Sequence, residues 1–215
     1  MKTPYVILVI FILLSAKQTI AQKSTADSVR STAPQPFVYR LDVKNSKLFW
    51  KAKKINGGHN GYVLFKSGEI KTLSPGKYES GDFNIHMNSI VVVDQLMPKD
   101  NREVEGVVKA NNFFAVALYP MARMRVGTIV PTGKLNQYKV RGDLTVKGVT
   151  KPLEFLAMFN RSGKTLNVAA DFKIDRTKWG INYKSGSFFT DLKDELIEDD
   201  IEISLNMVFS IPEGC

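Results

Sequence analysis

The sequence predicts an all-β domain whose antiparallel strands close into a barrel of about eight strands, with one or two short helices. Apolar and polar residues alternate along most of the chain after Phe37, which is typical of strands with one buried face and one solvated face. Clusters of glycine, proline and serine, which favour turns, separate the alternating segments. Closure into a barrel is expected because it leaves no exposed strand edge.

Each alternating segment predicts one strand, and two other segments break the alternation. Residues 110–118 (ANNFFAVAL) predict a short helix with Asn111 or Asn112 as its N-cap, and residues 191–199 (DLKDELIED) predict a second short helix. The predicted strands include residues 39–43, 48–52, 83–87, 122–126, 138–146, 153–159, 168–174 and 201–209.

The beginning of the chain is expected to lie outside this domain. Lys2 precedes an apolar run at residues 6–14, and Ala21 ends a small-residue motif that signal peptidases cleave, so residues 1–21 predict a secretory signal peptide. The apolar run is shorter than the roughly 20 residues that span a bilayer, and an uncleaved anchor is the alternative. Residues 22–36 (QKSTADSVRSTAPQP) predict a flexible leader, which leaves residues 37–211 as the folded domain.

The charge balance indicates the kind of partner. The net charge is +9, and removal of Lys2 and Lys17 with the signal peptide leaves +7 (9 − 2). This balance favours anionic partners, including an anionic membrane surface. Nucleic acid is not expected, because the lysines are scattered and no recognition motif is present. Cys215 is the sole cysteine, so no disulfide framework is predicted.

No motif predicts a catalytic residue, a metal site or a cofactor. His59 lies in a glycine-rich turn and His86 on the polar side of a strand, and neither has a neighbouring cysteine pair or HExxH motif. No nucleophile elbow or phosphate-binding loop is present. The carboxylates of residues 191–200 leave one alternative open, a hydrolase, although a solvated acidic loop is the favoured interpretation.

Small residues on the inward-facing strand positions leave the state of the barrel interior open. They either interdigitate with large apolar side chains, which gives a filled barrel that serves as a structural or interaction module, or they leave a cavity. Arg176 has two interpretations as well: it pairs with a carboxylate across the barrel mouth, or it contacts the headgroup of a ligand. The small residues are Ala52, Ala122, Gly142, Ala157 and Ala170.

From about Phe37 to Ile211 the chain resembles the YceI-like family, exported lipid- or polyisoprenoid-binding proteins with a lipocalin-like barrel. The segment 104–114 (VEGVVKANNFF) departs from the family, which usually has a more acidic, histidine-containing segment there. Four segments in order carry the resemblance: residues 39–70 with Trp50 and the turn at Gly58–Gly61, residues 111–124 (NNFFAVALYPMARM), residues 140–155 (VRGDLTVKGVTKPLEF) and residues 172–192 (FKIDRTKWGINYKSGSFFTDL).

The resemblance implies a periplasmic protein with an elongated apolar channel, a long-chain lipid or isoprenoid as its ligand, and no catalytic residue. It also implies that the turn after Asp175 and the pair Phe188–Phe189 belong to the barrel end and a covering loop. The residues expected at the rim, near a headgroup, are Arg176, Lys178 and Trp179. The residues expected to line the channel are Trp50, Phe83, Ile85, Phe113, Phe114, Leu144, Phe155, Ala157, Phe172 and Ile174.

Export with cleavage after Ala21 predicts a mature chain that begins at Gln22. Expression of the full sequence in a bacterial host, followed by intact-mass measurement of the exported protein, checks this expectation. A chain that keeps residues 1–21 and stays with the membrane fraction would instead support the uncleaved anchor.

Overall fold

This computed structural model describes residues 37–94 and 97–212. The predicted signal peptide, the predicted leader and Cys215 lie outside the described residues. Within them, no helix has the length and hydrophobicity of a transmembrane span.

The described chain is an all-β domain, which confirms the predicted fold class. Every strand pairing is antiparallel. One α-helix, α1, lies between the fourth and fifth strands. The elements are β1 Phe37–Leu41, β2 Lys47–Lys54, β3 Gly57–Ser74, β4 Lys77–Val92, α1 Pro98–Lys109, β5 Met121–Pro131, β6 Gln137–Val146, β7 Val149–Ser162, β8 Thr165–Asp175 and β9 Ile197–Ser210.

The nine strands form a closed barrel with eight strand positions, because β1 and β2 share one of them. Both strands lie between β3 and β9: β2 pairs with the first part of β3, and β1 pairs with its last part, where Arg40 lies opposite Glu69. Between β1 and β2 the Asp42 carboxylate accepts hydrogen bonds from the backbone N–H groups of Lys44 at 3.0 Å and Asn45 at 3.2 Å. Pairing of β3 with β4 closes the ring.

The connections divide between two ends of the barrel. We call one end the mouth; it consists of the β2–β3 turn, the segments around α1, the β6–β7 turn and the long β8–β9 loop. We call the other end the base; it consists of the β3–β4, β5–β6 and β7–β8 hairpins, together with the start of β1 and the end of β9. Four connections thus surround the mouth, and short hairpins surround the base.

The barrel wall is not hydrogen-bonded along its whole height. Strands β7 and β8 pair from the base only as far as Met158 and Ala169, and the described residues show no pairing between these strands nearer the mouth. There the rings of Phe155 and Phe172 stack instead, with centroids 4.4 Å apart and an interplanar angle of 17°. Side chains rather than backbone hydrogen bonds therefore join this part of the wall, which we call the β7–β8 seam.

The helix predicted at residues 110–118 is wrong, because the helix lies directly before them. Pro98 begins α1, where its missing N–H costs nothing. Residues 110–118 form turns instead, and Ala115 there adopts a positive φ of 49°, which a helix does not allow. The predicted second helix is reduced to one 3-10 turn at Lys193–Glu195, after which β9 begins.

The β8–β9 loop covers the mouth and is organised by a buried guanidinium. Arg176 is 1% exposed. Its Nη1 donates to the carbonyl oxygens of Ile181 at 2.6 Å and Tyr183 at 2.9 Å. Its Nε donates to the carbonyl of Glu198 at 3.1 Å. Its Nη2 donates to the Ile197 carbonyl at 2.9 Å and to the Asp199 carboxylate at 3.3 Å, so the chain itself occupies the whole fork of donors.

Burial lowers the pKa of the Arg176 guanidinium, and the attraction of Asp199 and Asp175 opposes that shift. Replacement Arg176→Met should lower the free energy of unfolding by about 3–5 kcal/mol, because it leaves buried carbonyls and a carboxylate without their donor. Urea unfolding of the purified variant measures this loss.

The control for this experiment is Lys178→Met, two residues along the same loop, where the side chain is exposed. That variant should change stability by no more than about 0.5 kcal/mol. Equal stability of the Arg176 variant and the control would contradict the role assigned to the guanidinium.

Candidate ligand-binding cavity

The interior of the barrel contains an apolar cavity of about 310 Å³. Inward-facing side chains of the strands, one face of α1 and part of the β8–β9 loop line it. Val107 of α1 lines the cavity and is also 44% exposed, so the cavity reaches the surface at the mouth. Of the two alternatives for the interior, the structure has the cavity rather than the filled barrel.

At the base, aromatic side chains close the barrel. Tyr78 lies against Phe159 and Tyr138, with ring centroids 4.7 and 5.2 Å away, and Phe159 lines the cavity. The hydroxyl of Tyr138 donates to the carbonyl of Gly76 at 3.3 Å, which joins two of the base hairpins. Burial raises the pKa of Tyr78 to about 12, so its hydroxyl is neutral at physiological pH. The cavity therefore has a closed base and an accessible mouth.

All ten side chains predicted to line a channel border this cavity, and their contact with a ligand remains a prediction. Among the small inward residues, Ala52, Ala122 and Ala157 border it, whereas Ala170 and Gly142 do not. Gly142 has another role: a Cβ at this position would lie 2.1 Å from the carbonyl oxygen of Arg125 on β5. The predicted lining residues are Trp50, Phe83, Ile85, Phe113, Phe114, Leu144, Phe155, Ala157, Phe172 and Ile174.

Trp50 on β2 shows how the wall makes room for a large ring. Gly61 lies opposite Trp50 on β3. A Cβ on Gly61 would lie 1.8 Å from the carbonyl oxygen of Val91 and 3.0 Å from the Trp50 ring. The absence of a side chain at position 61 therefore lets β4 and the indole approach the β3 backbone closely.

The predicted lining set omits many residues that border the cavity, including those of β9, and two of the omitted groups are informative. One is on β3, where Val63 and Phe65 line the cavity; this two-residue spacing was a usable signal for a strand. The other is on α1, where Val104, Val107 and Val108 line it with the i, i+3, i+4 spacing of one helix face. The many charged residues around these valines hid that face.

Ionisable side chains enter the cavity wall only at its mouth end, within the described residues. They are Lys54 on β2, His59 on β3, and Tyr183 and Lys184 on the β8–β9 loop. His59 Nδ1 lies 3.2 Å from a carboxylate oxygen of Asp94. Lys184 Nζ lies 2.9 Å from a carboxylate oxygen of Glu195, and this hydrogen bond raises the pKa of Lys184. A ligand with one polar end and a long apolar part is best accommodated with its polar end here.

The residues predicted at the rim do not line the cavity. Trp179 is buried, and its indole N–H donates to the Leu144 carbonyl at 3.0 Å. Arg176 is buried too, so the structure corrects its expected position: it pairs with the Asp199 carboxylate, which was the first of its two interpretations. Lys178 is exposed beside the mouth, and its contact with a headgroup remains a prediction. Phe188 and Phe189 are exposed on the covering loop.

Three of the six acidic residues of segment 191–200 pair with three separate cations. Glu195 pairs with Lys184, Asp199 pairs with Arg176, and Asp200 lies 3.9 Å from Lys173. In the part of the chain that the structure describes, no group of three or more histidine, cysteine or acidic residues could bind a metal ion. Residues 191–196 belong to the β8–β9 loop, whereas Glu198, Asp199 and Asp200 lie in β9, so only the first part of the segment is an acidic loop.

Comparison with solved structures finds this fold in proteins of low sequence identity. BcnA of Burkholderia cenocepacia is 23% identical with a TM-score of 0.63, and the match covers 78% of this chain and 98% of BcnA. A polyisoprenoid binding domain from Saccharophagus degradans, implicated in plant cell wall breakdown, is 15% identical with a TM-score of 0.60 and coverages of 82% and 99%. The Campylobacter jejuni YceI protein is 18% identical with a TM-score of 0.54 and coverages of 69% and 84%.

Comparison with curated protein sequences finds no match. The sequence model of the YceI-like domain matches residues 39–209, a range that begins within β1 and ends within β9. This match covers the whole barrel and agrees with the ordered motifs of the sequence. The chain therefore belongs to the YceI-like domain family.

Proposed function

We propose that this protein is a non-catalytic binding protein that holds one long apolar lipid or polyisoprenoid in its barrel. The observation that carries the proposal is the apolar cavity of about 310 Å³ with its ionisable residues confined to the mouth. The description of the Saccharophagus degradans domain as polyisoprenoid binding supports the same ligand class. The apolar part would lie among the strands, and the polar end would lie near Lys54, His59 and Lys184.

The energetics favour a long chain over a short one. Burial of each methylene group gains about 0.8 kcal/mol. Association costs at least about 4 kcal/mol, and micromolar affinity requires a net gain of about 8 kcal/mol. About 15 buried methylene-sized groups meet both requirements. An exposed ion pair at the mouth adds only about 0–1 kcal/mol, so the cavity sets the affinity and the mouth adjusts the preference for a headgroup.

Export to the periplasm is part of the proposal. It is supported by the apolar run and the small-residue motif of residues 1–21, and by the resemblance of the domain to exported proteins. The two other candidate functions have less support. The barrel is not filled, and three of the six carboxylates of segment 191–200 that would serve a hydrolase, those of Glu195, Asp199 and Asp200, are engaged in ion pairs.

The first test is extraction of the protein as purified. The mature chain, prepared without detergent, is denatured and extracted with organic solvent, and the extract is measured by mass spectrometry. A stoichiometric isoprenoid or other long-chain species is the expected result. A clean extract that stays clean after incubation of the protein with total membrane lipids would refute the proposal.

The second test fills the cavity. Ala157→Trp should lower ligand loading at least about tenfold, because the indole occupies space that the apolar chain needs, at a stability cost of about 1–3 kcal/mol. Loading is measured by the same extraction, and far-ultraviolet circular dichroism verifies the fold. Ala52→Phe, at a half-buried lining position, is a second filling variant in case the first does not fold.

The matched control is Leu156→Trp, one residue away on the outward face of β7, where the side chain is exposed. This control should load like the unmodified protein, because its side chain points away from the interior. Normal loading of the folded cavity-filling variants would show that the ligand does not occupy this space.

A further inference from the structure

The net positive charge of the protein is not distributed evenly between the two ends of the barrel. At the mouth, basic and acidic residues are interspersed, and most of the ion pairs of the described chain that involve the connecting segments lie there. The β8–β9 loop alone supplies Asp191, Asp194 and Glu195 next to Lys193. The ion pairs at this end include Lys53–Glu202, Lys99–Glu103, Lys109–Glu105, Lys173–Asp200, Arg176–Asp199 and Lys184–Glu195.

The base shows the opposite balance. Among the described residues of the three base hairpins, all the cations are exposed and Glu79 is the single acidic residue. None of these cations belongs to an ion pair within the described residues. We call this group the base cluster; it consists of Lys71, Lys77, Lys134, Arg161 and Lys164.

Hydrogen bonds hold the base hairpins together, so the base cluster forms one surface. Tyr138 of β6 donates to Gly76 in the β3–β4 hairpin at 3.3 Å. The side-chain amide of Asn136, in the β5–β6 hairpin, donates to Asn160 of β7 at 3.0 Å. A polar pocket of about 240 Å³ lies among these hairpins, with Arg161 in its wall. A guanidinium beside a polar pocket suits a phosphate oxygen.

Exposed leucines stand beside these cations. Leu135 is 86% exposed and directly follows Lys134, and Leu73 is 52% exposed and lies two residues after Lys71. Aliphatic side chains flanked by lysines are typical of surfaces that contact both the headgroups and the acyl boundary of a bilayer. A nucleic-acid surface would instead present stacking aromatic rings, and Tyr78 and Phe159 of the base are buried.

We propose that the base cluster docks the barrel on an anionic bilayer, with Leu73 and Leu135 at the acyl boundary and a lipid phosphate at the Arg161 pocket. The mouth then faces away from that bilayer. Each lysine or arginine near an anionic surface strengthens binding about fivefold, and the effect decays within the Debye length. This proposal does not depend on what the cavity holds.

The test measures binding of the full mature chain to vesicles by co-sedimentation. Vesicles of phosphatidylcholine with phosphatidylglycerol should bind the protein, and the binding should weaken as salt is added. Vesicles of phosphatidylcholine alone should bind it at least about tenfold more weakly. Equal binding to both kinds of vesicle would overturn the proposal.

Charge reversal then locates the surface. The triple variant Lys77→Glu, Lys134→Glu, Lys164→Glu should lose affinity for the anionic vesicles by about 100-fold or more. The control triple Lys51→Glu, Lys66→Glu, Lys151→Glu makes the same change in net charge on exposed positions of the barrel wall. It should lose no more than about threefold, because those positions lie away from the docked surface. Similar losses in the two folded triples would show attraction by net charge alone.

Two further variants test the kind of partner and the position of the docking surface. One separates an anionic bilayer from a soluble polyanion, and the other separates the base from the mouth. Leu135→Ser should weaken vesicle binding about tenfold and leave retention on a polyphosphate column unchanged. The double variant Phe188→Ser, Phe189→Ser, at exposed aromatic positions of the mouth, should bind vesicles normally. Unchanged vesicle binding by Leu135→Ser would indicate a soluble polyanion as the partner. Weaker vesicle binding by the double phenylalanine variant would place the docking surface at the mouth. Either result would overturn the proposal.

Discussion

Closure of the antiparallel sheet on itself is the constraint on which the other features of this protein depend. Because β3 pairs with β2 on one side and with β4 on the other, alternate side chains of every strand share one interior. A ring of eight strand positions has an interior that large side chains nearly fill. Alanines at 52, 122 and 157 are the positions where this chain leaves space. The cavity therefore follows from the number of strands in the barrel and from a few small residues on their inward faces.

The β8–β9 loop, which covers the mouth, shows how a buried charge is accommodated beside an apolar barrel interior. The β8–β9 loop has little regular structure, so its carbonyl groups lack partners in a sheet or helix, and buried carbonyls without donors are costly. The fork of Arg176 supplies these donors from one side chain, and Asp199 balances its charge. A residue of the type that often binds an anionic ligand is thus used to hold the cover of the cavity in place.

Most strands and ten of the lining residues could be predicted, because alternation with a period of two indicates which side chains point inward. The sequence predicts no strand over β3, because Gly57, Gly58 and Gly61 favour a turn at its start and the register against β4 shifts between Phe65 and Ser67. The sequence predicts a helix at residues 110–118 because the apolar residues are concentrated there. In α1 the apolar face consists of a few valines, and most of the other residues of the helix are charged or polar. The position of Arg176 could not be predicted, because its acceptors come from Ile181 to Asp199 and sequence alone does not bring them together.

The β7–β8 seam gives the barrel wall an uneven mechanical strength. A wall held by backbone hydrogen bonds opens only when several bonds in register break together. Along the seam, the ring of Phe155 stacks on that of Phe172, and both side chains also line the cavity. Rotation of two side chains costs much less than the rupture of a ladder. The easiest deformation of this barrel is therefore a sideways parting between β7 and β8, on the path from the cavity to the outside.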